Sequence, residues 1–334
     1  MKKVLKVLGT ILLSSIILAA CGNGNEKEKT SSKGQLKVTT TVFPLQSFVK
    51  QIGGEHVEVN SIYPKGADLH DFEPSQKDIV EASKADLFIY TGDDLDPVAE
   101  KIADAIKKDD HKLSLEDHID KGVLIKDEHE HEHEHGEAGK KEDDHDHDHA
   151  DHDEHGHRHG TYDPHVWLDP QLDEKFVTAI RDELIKRDPD HKKEYQENAD
   201  KLLKDLEGID KDLKAATKDH QGESVFISHE SLGYLAKRYG FEQKGVQSLS
   251  AEDPSQKQLT EIVKEINDID AKYILYEENV ANKVTDTIRK ETKAEPLKFN
   301  NMEAVTDDQA KDATYQSLMR ENVKNIEKAL THKH

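Results

Sequence analysis

Short β-rich segments alternate with amphipathic helical segments along most of this chain, and that alternation restricts its fold more than any other feature. It begins with a strand-like run over residues 36–42 and a helical pattern over 43–52, and it restarts at a strand-like run over 224–228. Strands separated by single helices are typical of βαβ units, which build largely parallel sheets with helices on both faces. The sequence therefore predicts an α/β fold with two similar lobes.

A long amphipathic segment separates the two alternating halves. Residues 191–218 carry apolar side chains at helical spacing, over a length that is unusual for a helix in a globular protein. We therefore predict one long helix between a first lobe of residues 36–190 and a second lobe of residues 219–334. The length of 334 residues agrees with this division, because single cores stop growing near ~250 to 300 residues.

The first 21 residues are typical of a bacterial export signal that ends in a lipidation site. Three lysines precede an apolar core over residues 7–18, which is too short to span a membrane. The signal ends in Leu-Ala-Ala followed by Cys21, the only cysteine of the chain, which excludes an intramolecular disulfide. An ordinary signal peptide is the alternative, but small residues and cysteine stand where lipidation requires them. We expect an extracytoplasmic protein, held at the cell membrane by lipid on Cys21 and a flexible tether over residues 22–35.

Residues 127–159 interrupt the α/β pattern with histidines that alternate with acidic residues. This acidic histidine segment holds 14 Asp and Glu against three Lys and Arg, and its only apolar side chains are two alanines. It cannot bury a core, so the sequence predicts a disordered loop. Nitrogen and oxygen ligands without fixed geometry predict weak, exchangeable metal sites, and a solvated spacer is the alternative. The histidines are His129, His131, His133, His135, His145, His147, His149, His152, His155, His157 and His159.

The formal net charge of −23 restricts the class of ligand. A phosphate backbone is bound mainly through Lys and Arg, so we expect no nucleic-acid partner and a cation as the ligand. The sequence also lacks a Walker A motif, a GxGxxG loop and any spanning helix after the signal. If the protein serves transport, the membrane pore and the ATPase must be other chains.

Three histidines lie in loops at or just before predicted helix starts. His70 lies between a strand and a helix, His165 between the acidic histidine segment and a helix, and His229 at the carboxyl end of a strand. Ligand sites of open α/β sheets lie at such strand ends, and imidazole is a standard ligand of tetrahedral Zn²⁺. A single loop histidine is usually an ordinary surface residue, but three in comparable positions predict a metal site whose fourth ligand comes from the second lobe.

These loops resemble the metal-specific substrate-binding proteins of bacterial ABC importers, among them the zinc-binding ZnuA and AdcA type. The matching stretches are residues 66–75, 163–170, 228–233, 276–283 and 300–306. In this resemblance His70, His165 and His229 match three zinc-ligating histidines, and Glu303 matches the carboxylate ligand. It implies two lobes, a rigid connecting helix and one Zn²⁺ buried between the lobes. It also implies a monomer that is not an enzyme and that hands zinc to permease and ATPase subunits for uptake.

The sequence departs from the family pattern near two of these residues. Leu69 stands where many members have proline, and Asn301-Met302 where many have Pro-Leu. The second departure bears on the assignment of Glu303 as the fourth ligand. Glu277 and Glu278 compete for that position because they also follow a strand end, although acids at a helix start need no metal to explain them.

Three other functions fit parts of the sequence. Manganese or iron capture by the same scaffold is disfavoured by His229, because nitrogen-rich sites suit Zn²⁺ better than Mn²⁺. A secreted zinc hydrolase would use three protein ligands and leave an open position for water, and the HExxH pattern occurs at His129 and His131 only as a product of the His-Glu alternation. A surface zinc buffer or adhesin would use the acidic histidine segment alone, so removing that segment would abolish its function.

Overall fold

The computed structural model describes residues 34–70, 72–126, 162–278 and 283–331. The export signal with Cys21 and the acidic histidine segment therefore lie outside the described residues, and what the sequence predicts for them stays a prediction. Within the described ranges, no helix is both long enough and apolar enough to cross a membrane.

The first lobe contains a four-stranded parallel sheet in the order β2-β1-β3-β4. Its strands are β1 (Leu36–Thr40), β2 (Val57–Ser61), β3 (Leu87–Tyr90) and β4 (Lys112–Ser114). Its helices are α1 (Phe43–Gly53), α2 (Gln76–Ala82), α3 (Pro97–Ala105) and α4 (Pro170–Arg187). The predicted strand at 36–42 and helix at 43–52 correspond to β1 and α1, whereas β4 comprises three residues with one apolar side chain and so carries too little alternation to detect.

The second lobe repeats this architecture with the sheet order β6-β5-β7-β8, again entirely parallel. Its strands are β5 (Ser224–His229), β6 (Glu242–Gln247), β7 (Tyr273–Glu277) and β8 (Glu295–Phe299), preceded in the chain by the long helix α5 (Lys192–Thr217). Its helices are α6 (Gly233–Tyr239), α7 (Gln256–Asp268), α8 (Lys283–Thr292), α9 (Gln309–Asp312) and α10 (Tyr315–Thr331). The predicted fold class, two parallel-sheet lobes with a long helix between them, is confirmed.

Helix α5 connects the lobes through one continuous apolar face. Its buried residues recur every three or four positions, which is the spacing of a single helical stripe. The apolar ones are Tyr195, Ala199, Leu202, Leu206, Ile209, Leu213 and Ala216. That face packs against α1 and α4 of the first lobe and against α10 of the second. The observed helix agrees with the predicted range 191–218, whereas the exact lobe boundaries stay a prediction.

Helix caps fix two of the loops that carry the predicted site residues. Ser75 caps α2 through its hydroxyl, which accepts a hydrogen bond from the Asp78 amide, and the Asp78 carboxylate accepts one from the Ser75 amide in return. Asp169 caps α4 by accepting a hydrogen bond from the Gln171 amide. Both devices hold a helix start in place. The loop of His70 therefore ends at a fixed point, and so does the turn that follows His165.

Candidate metal centre

Four side chains from separate parts of the chain converge between the two sheets. His70, His165, His229 and Glu303 each offer one ligand atom, and these atoms all lie within 4.8 Å of one another. His165, His229 and Glu303 are at most 1% exposed, and the side chain of His70 is 14% exposed. Among the described residues no other three or more metal-capable side chains are grouped in this way. Three nitrogens and one oxygen at this spacing fit a tetrahedral Zn²⁺ ion.

One carboxylate oxygen of this cluster, Glu303 Oε1, faces the Nε2 atoms of all three histidines. Glu303 Oε1 lies 3.4 Å from His165 Nε2, 3.7 Å from His70 Nε2 and 3.9 Å from His229 Nε2. The Nε2 atoms of His165 and His229 are 3.3 Å apart. His70 Nε2 is buried and has no hydrogen-bond partner among the described residues. A buried polar atom without a partner is unfavourable, and a bound cation would satisfy it.

A carboxylate behind His165 fixes the orientation of that ring. Asp163 Oδ1 lies 2.8 Å from His165 Nδ1, and it also accepts a hydrogen bond of 2.9 Å from the His165 backbone amide. When Nδ1–H donates to this carboxylate, Nε2 keeps the lone pair that a metal needs. Asp163 stands two residues before His165, so its role could have been recognised from the sequence as a carboxylate partner of a ligating histidine.

Glu277 performs the same task for His229. Its Oε2 lies 2.6 Å from His229 Nδ1 and accepts a hydrogen bond from Ser228, while its Oε1 accepts one from Ser231. Glu277 therefore lies behind the histidine and not among the four converging side chains. Glu278 is 48% exposed and forms a 3.0 Å ion pair with Lys298. Of the three candidate carboxylates, only Glu303 has an oxygen within 4 Å of the Nε2 atoms of all three histidines.

The loop of Glu303 is held by contacts to the first lobe and by a hydrogen bond within the loop. Trp167 Nε1 donates a 2.6 Å hydrogen bond to the Asn301 carbonyl, and the Phe43 amide donates to the Glu303 carbonyl. Asn301 Oδ1 accepts from the Glu303 amide, and Met302 between them has a φ of 61°. A left-handed backbone at a residue with a side chain persists only where surrounding contacts hold it. Asn301 and Met302, which depart from the family pattern, thus help to hold Glu303 in place.

Burial and neighbouring charges shift the pKa values of the side chains in the cluster in different directions. Burial lowers the pKa of His70 to about 4, despite the opposing effect of Glu303. Burial would also lower the pKa of His165, but Asp163 and Glu303 raise it to about 10. Burial opposes ionisation of Glu303, yet its bond to His165 and the other histidines lower its pKa to about 2. Near neutral pH and before zinc binds, His165 is protonated, His70 is neutral and Glu303 is ionised.

Comparison with known proteins gives the family. A profile of the family described as zinc-uptake complex component A, periplasmic (ZnuA), matches residues 38–329. The chain belongs to this family. It is 32% identical over 325 residues to the high-affinity zinc uptake system protein ZnuA of Bacillus subtilis, and the alignment covers 94% of each chain.

Two solved structures extend the comparison to three dimensions. The Zn(II)-bound AdcA of Streptococcus pneumoniae has a TM-score of 0.70 and 26% identity, with 90% of this chain and 59% of that chain covered. This chain thus spans somewhat less than two thirds of AdcA. The laminin-binding protein Lmb of Streptococcus agalactiae, described as having adhesin and metal-transporting activity, has a TM-score of 0.70 and 26% identity, with 89% and 100% covered.

Adjacent glutamates allow a matched test of the carboxylate behind His229. We expect Glu277→Gln to weaken zinc binding by roughly 10- to 100-fold, because it removes the charge that orients His229 and raises its basicity. Glu278→Gln should leave the affinity within about twofold, since an exposed ion pair contributes little. Chelator competition measures both. Equal losses in the two variants would contradict the assignment of Glu277.

The pKa shifts of the cluster predict that zinc binding releases protons. Because His165 is protonated up to a pKa of about 10, a zinc ion must displace at least one proton at pH 7.5. Burial would lower the pKa of His229, but Glu277 raises it, so the apparent affinity should rise by at least about tenfold per pH unit between roughly pH 6 and 9. Calorimetry in buffers of different ionisation enthalpy counts the released protons, with residues 127–159 deleted to remove their contribution. Binding without proton release would show that His165 is neutral beforehand.

Proposed function

We propose that this protein captures Zn²⁺ outside the cytoplasm and delivers it to an ABC importer. The observation that carries the proposal is the buried cluster of three imidazole nitrogens and one carboxylate oxygen within 4.8 Å between the two lobes. Membership of a family described by its zinc-uptake component supports it. An uptake component binds and releases its ion unchanged, so the protein is a binding protein and not an enzyme.

The proposed ligands are His70, His165, His229 and Glu303. Three neutral imidazoles and one carboxylate carry a charge of −1, which offsets half the charge of Zn²⁺. Asp163 and Glu277, behind His165 and His229, add two further negative charges at hydrogen-bond distance from the rings. Nitrogen-rich ligation favours Zn²⁺ over Mn²⁺, which argues against the manganese alternative. A fourth protein ligand would occupy the position that a zinc hydrolase keeps open for water.

The acidic histidine segment is proposed as an auxiliary, weaker zinc-binding region. The described residues on its two sides are joined, because Lys126 and Tyr162 form an antiparallel bridge and the Asp163 amide donates a hydrogen bond to the Ile125 carbonyl. The described chain on the two sides of the segment therefore meets at Tyr162, three residues before His165. Ions collected by its histidines would be held near the buried cluster, from which the stronger site could take them.

The remaining assignments concern location and partners. We infer that lipid on Cys21 holds a monomeric protein at the outer face of the cell membrane, in reach of separate permease and ATPase subunits. The Streptococcus pneumoniae relative is named a zinc-binding lipoprotein, which supports the anchor. The described adhesin activity of Lmb keeps surface adhesion as a second candidate.

Deleting residues 127–159 separates the importer component from a passive zinc buffer. We expect the deletion protein to retain one tightly bound Zn²⁺ and to lose its weak sites, because the four proposed ligands lie outside the segment. Adding His165→Ala should weaken the tight site by orders of magnitude, and cellular zinc uptake should survive the deletion but not the substitution. Loss of the tight site on deletion would instead favour the buffer. Metal analysis and calorimetry provide the stoichiometry.

Anchoring depends on a different residue and can be tested independently. In cells, Cys21→Ser should move the protein from the membrane fraction to the soluble extracytoplasmic fraction, because the thiol that receives the lipid is gone. Zinc affinity of the purified variant should stay unchanged, which serves as the control for folding. If the variant stays with the membrane, lipid on Cys21 is not the anchor.

A further inference from the structure

The two oxygens of the Glu303 carboxylate have different surroundings. Oε1 lies within 4 Å of all three histidine Nε2 atoms. Oε2 accepts a 3.1 Å hydrogen bond from the backbone amide of Leu69. Leu69 is 8% exposed and Glu303 is 1% exposed, so this bond forms away from bulk water. A hydrogen bond to a buried charged group is stronger than an exposed one, and a donor that loses its acceptor there has no solvent to replace it.

A tight turn directs the Leu69 amide at Glu303. Asp68 Oδ1 accepts a 2.9 Å hydrogen bond from the His70 amide, which closes a side-chain turn around the intervening residue. A backbone hydrogen bond from the Gly66 amide to the Val305 carbonyl joins this loop to the loop of Glu303. The loop that presents His70 is therefore fixed against the loop that presents Glu303. The Leu69 amide cannot follow the carboxylate if it rotates.

We propose that the Leu69 amide is a specificity-determining group that holds Glu303 as a one-oxygen ligand. The inference rests on the proposed function, in which Glu303 and the three histidines bind the ion. With Oε2 bonded to Leu69, the four residues supply four donor atoms, which suits tetrahedral Zn²⁺. Turning Oε2 toward the ion would add a fifth donor but would stretch its bond to the buried amide. Ions that prefer more oxygen ligands, such as Mn²⁺, are thereby disfavoured.

A proline substitution with a matched control isolates the amide. Leu69→Pro removes the N–H, whereas Leu69→Ala removes most of the same buried side chain and keeps the N–H. The affinities of full-length wild type and both variants for Zn²⁺ and for Mn²⁺ are measured with less than one equivalent of metal, so that the tightest site fills first. We expect the Zn²⁺ to Mn²⁺ affinity ratio of Leu69→Pro to fall about tenfold or more below that of Leu69→Ala.

The visible spectrum of the Co²⁺-loaded proteins gives a second readout that loss of packing alone would not produce. Four-coordinate Co²⁺ absorbs strongly and five-coordinate Co²⁺ weakly, so Leu69→Pro should show the weaker absorption while Leu69→Ala resembles wild type. If Leu69→Pro does not fold, an ester bond introduced with the hydroxy-acid analogue of leucine at position 69 removes the donor and keeps the leucine side chain. The same two measurements on that protein then decide the question.

The outcomes distinguish this inference from the function on which it rests. Equal affinity ratios and equal spectra in the proline or ester protein and in Leu69→Ala would overturn the role of the amide and leave zinc capture intact. If wild type showed no tight zinc site sensitive to His165→Ala, the proposed function would fail, and the inference with it.

Discussion

The structure depends on burying a charged carboxylate where its two lobes meet. An isolated ionised carboxylate in an apolar interior is highly unfavourable, so Glu303 requires partners on every accessible side. The first lobe supplies His70, His165 and the Leu69 amide, while the second lobe supplies His229 and the chain of Glu303 itself. The interaction that stabilises the charge therefore also joins the lobes. Any ion bound there would enter a contact network that already spans them.

Parallel sheets explain why the second lobe contributes so much to this centre. The carboxyl ends of its strands point to one edge, where His229 is the last residue of β5 and Glu277 is the last residue of β7. Glu303 follows β8 after a short loop whose left-handed Met302 turns the chain inward. Neighbouring strand ends thus hold a proposed ligand, its supporting carboxylate and a second proposed ligand. Open α/β sheets bind ligands at this edge for the same geometrical reason.

The sequence predicts the elements that depend on a local pattern of residues. It misses contacts between residues that are far apart in the chain. Periodicity places α5 within about one residue, because that signal lies in consecutive turns of one segment. The pairing of Leu69 with Glu303 joins residues 234 positions apart, which no local pattern can indicate. Chemistry alone left Glu277, Glu278 and Glu303 as alternatives, and only the resemblance favoured Glu303. The fold then separates them, since strand direction places Glu277 behind His229.

The contact between Trp167 and Asn301 allows the intrinsic fluorescence of the protein to report on the metal centre. Trp167 is the only tryptophan of the chain and is fully buried, so intrinsic indole fluorescence comes from one defined position. Its ring lies edge-on to His165 with centroids 5.4 Å apart, while its Nε1 donates to the loop of Glu303 in the other lobe. A protonated imidazole quenches a neighbouring indole more strongly than a neutral one does. The intensity of tryptophan emission therefore depends on the protonation state of His165. Its wavelength depends on how well the contact between the lobes keeps water away from Trp167, and no label is needed.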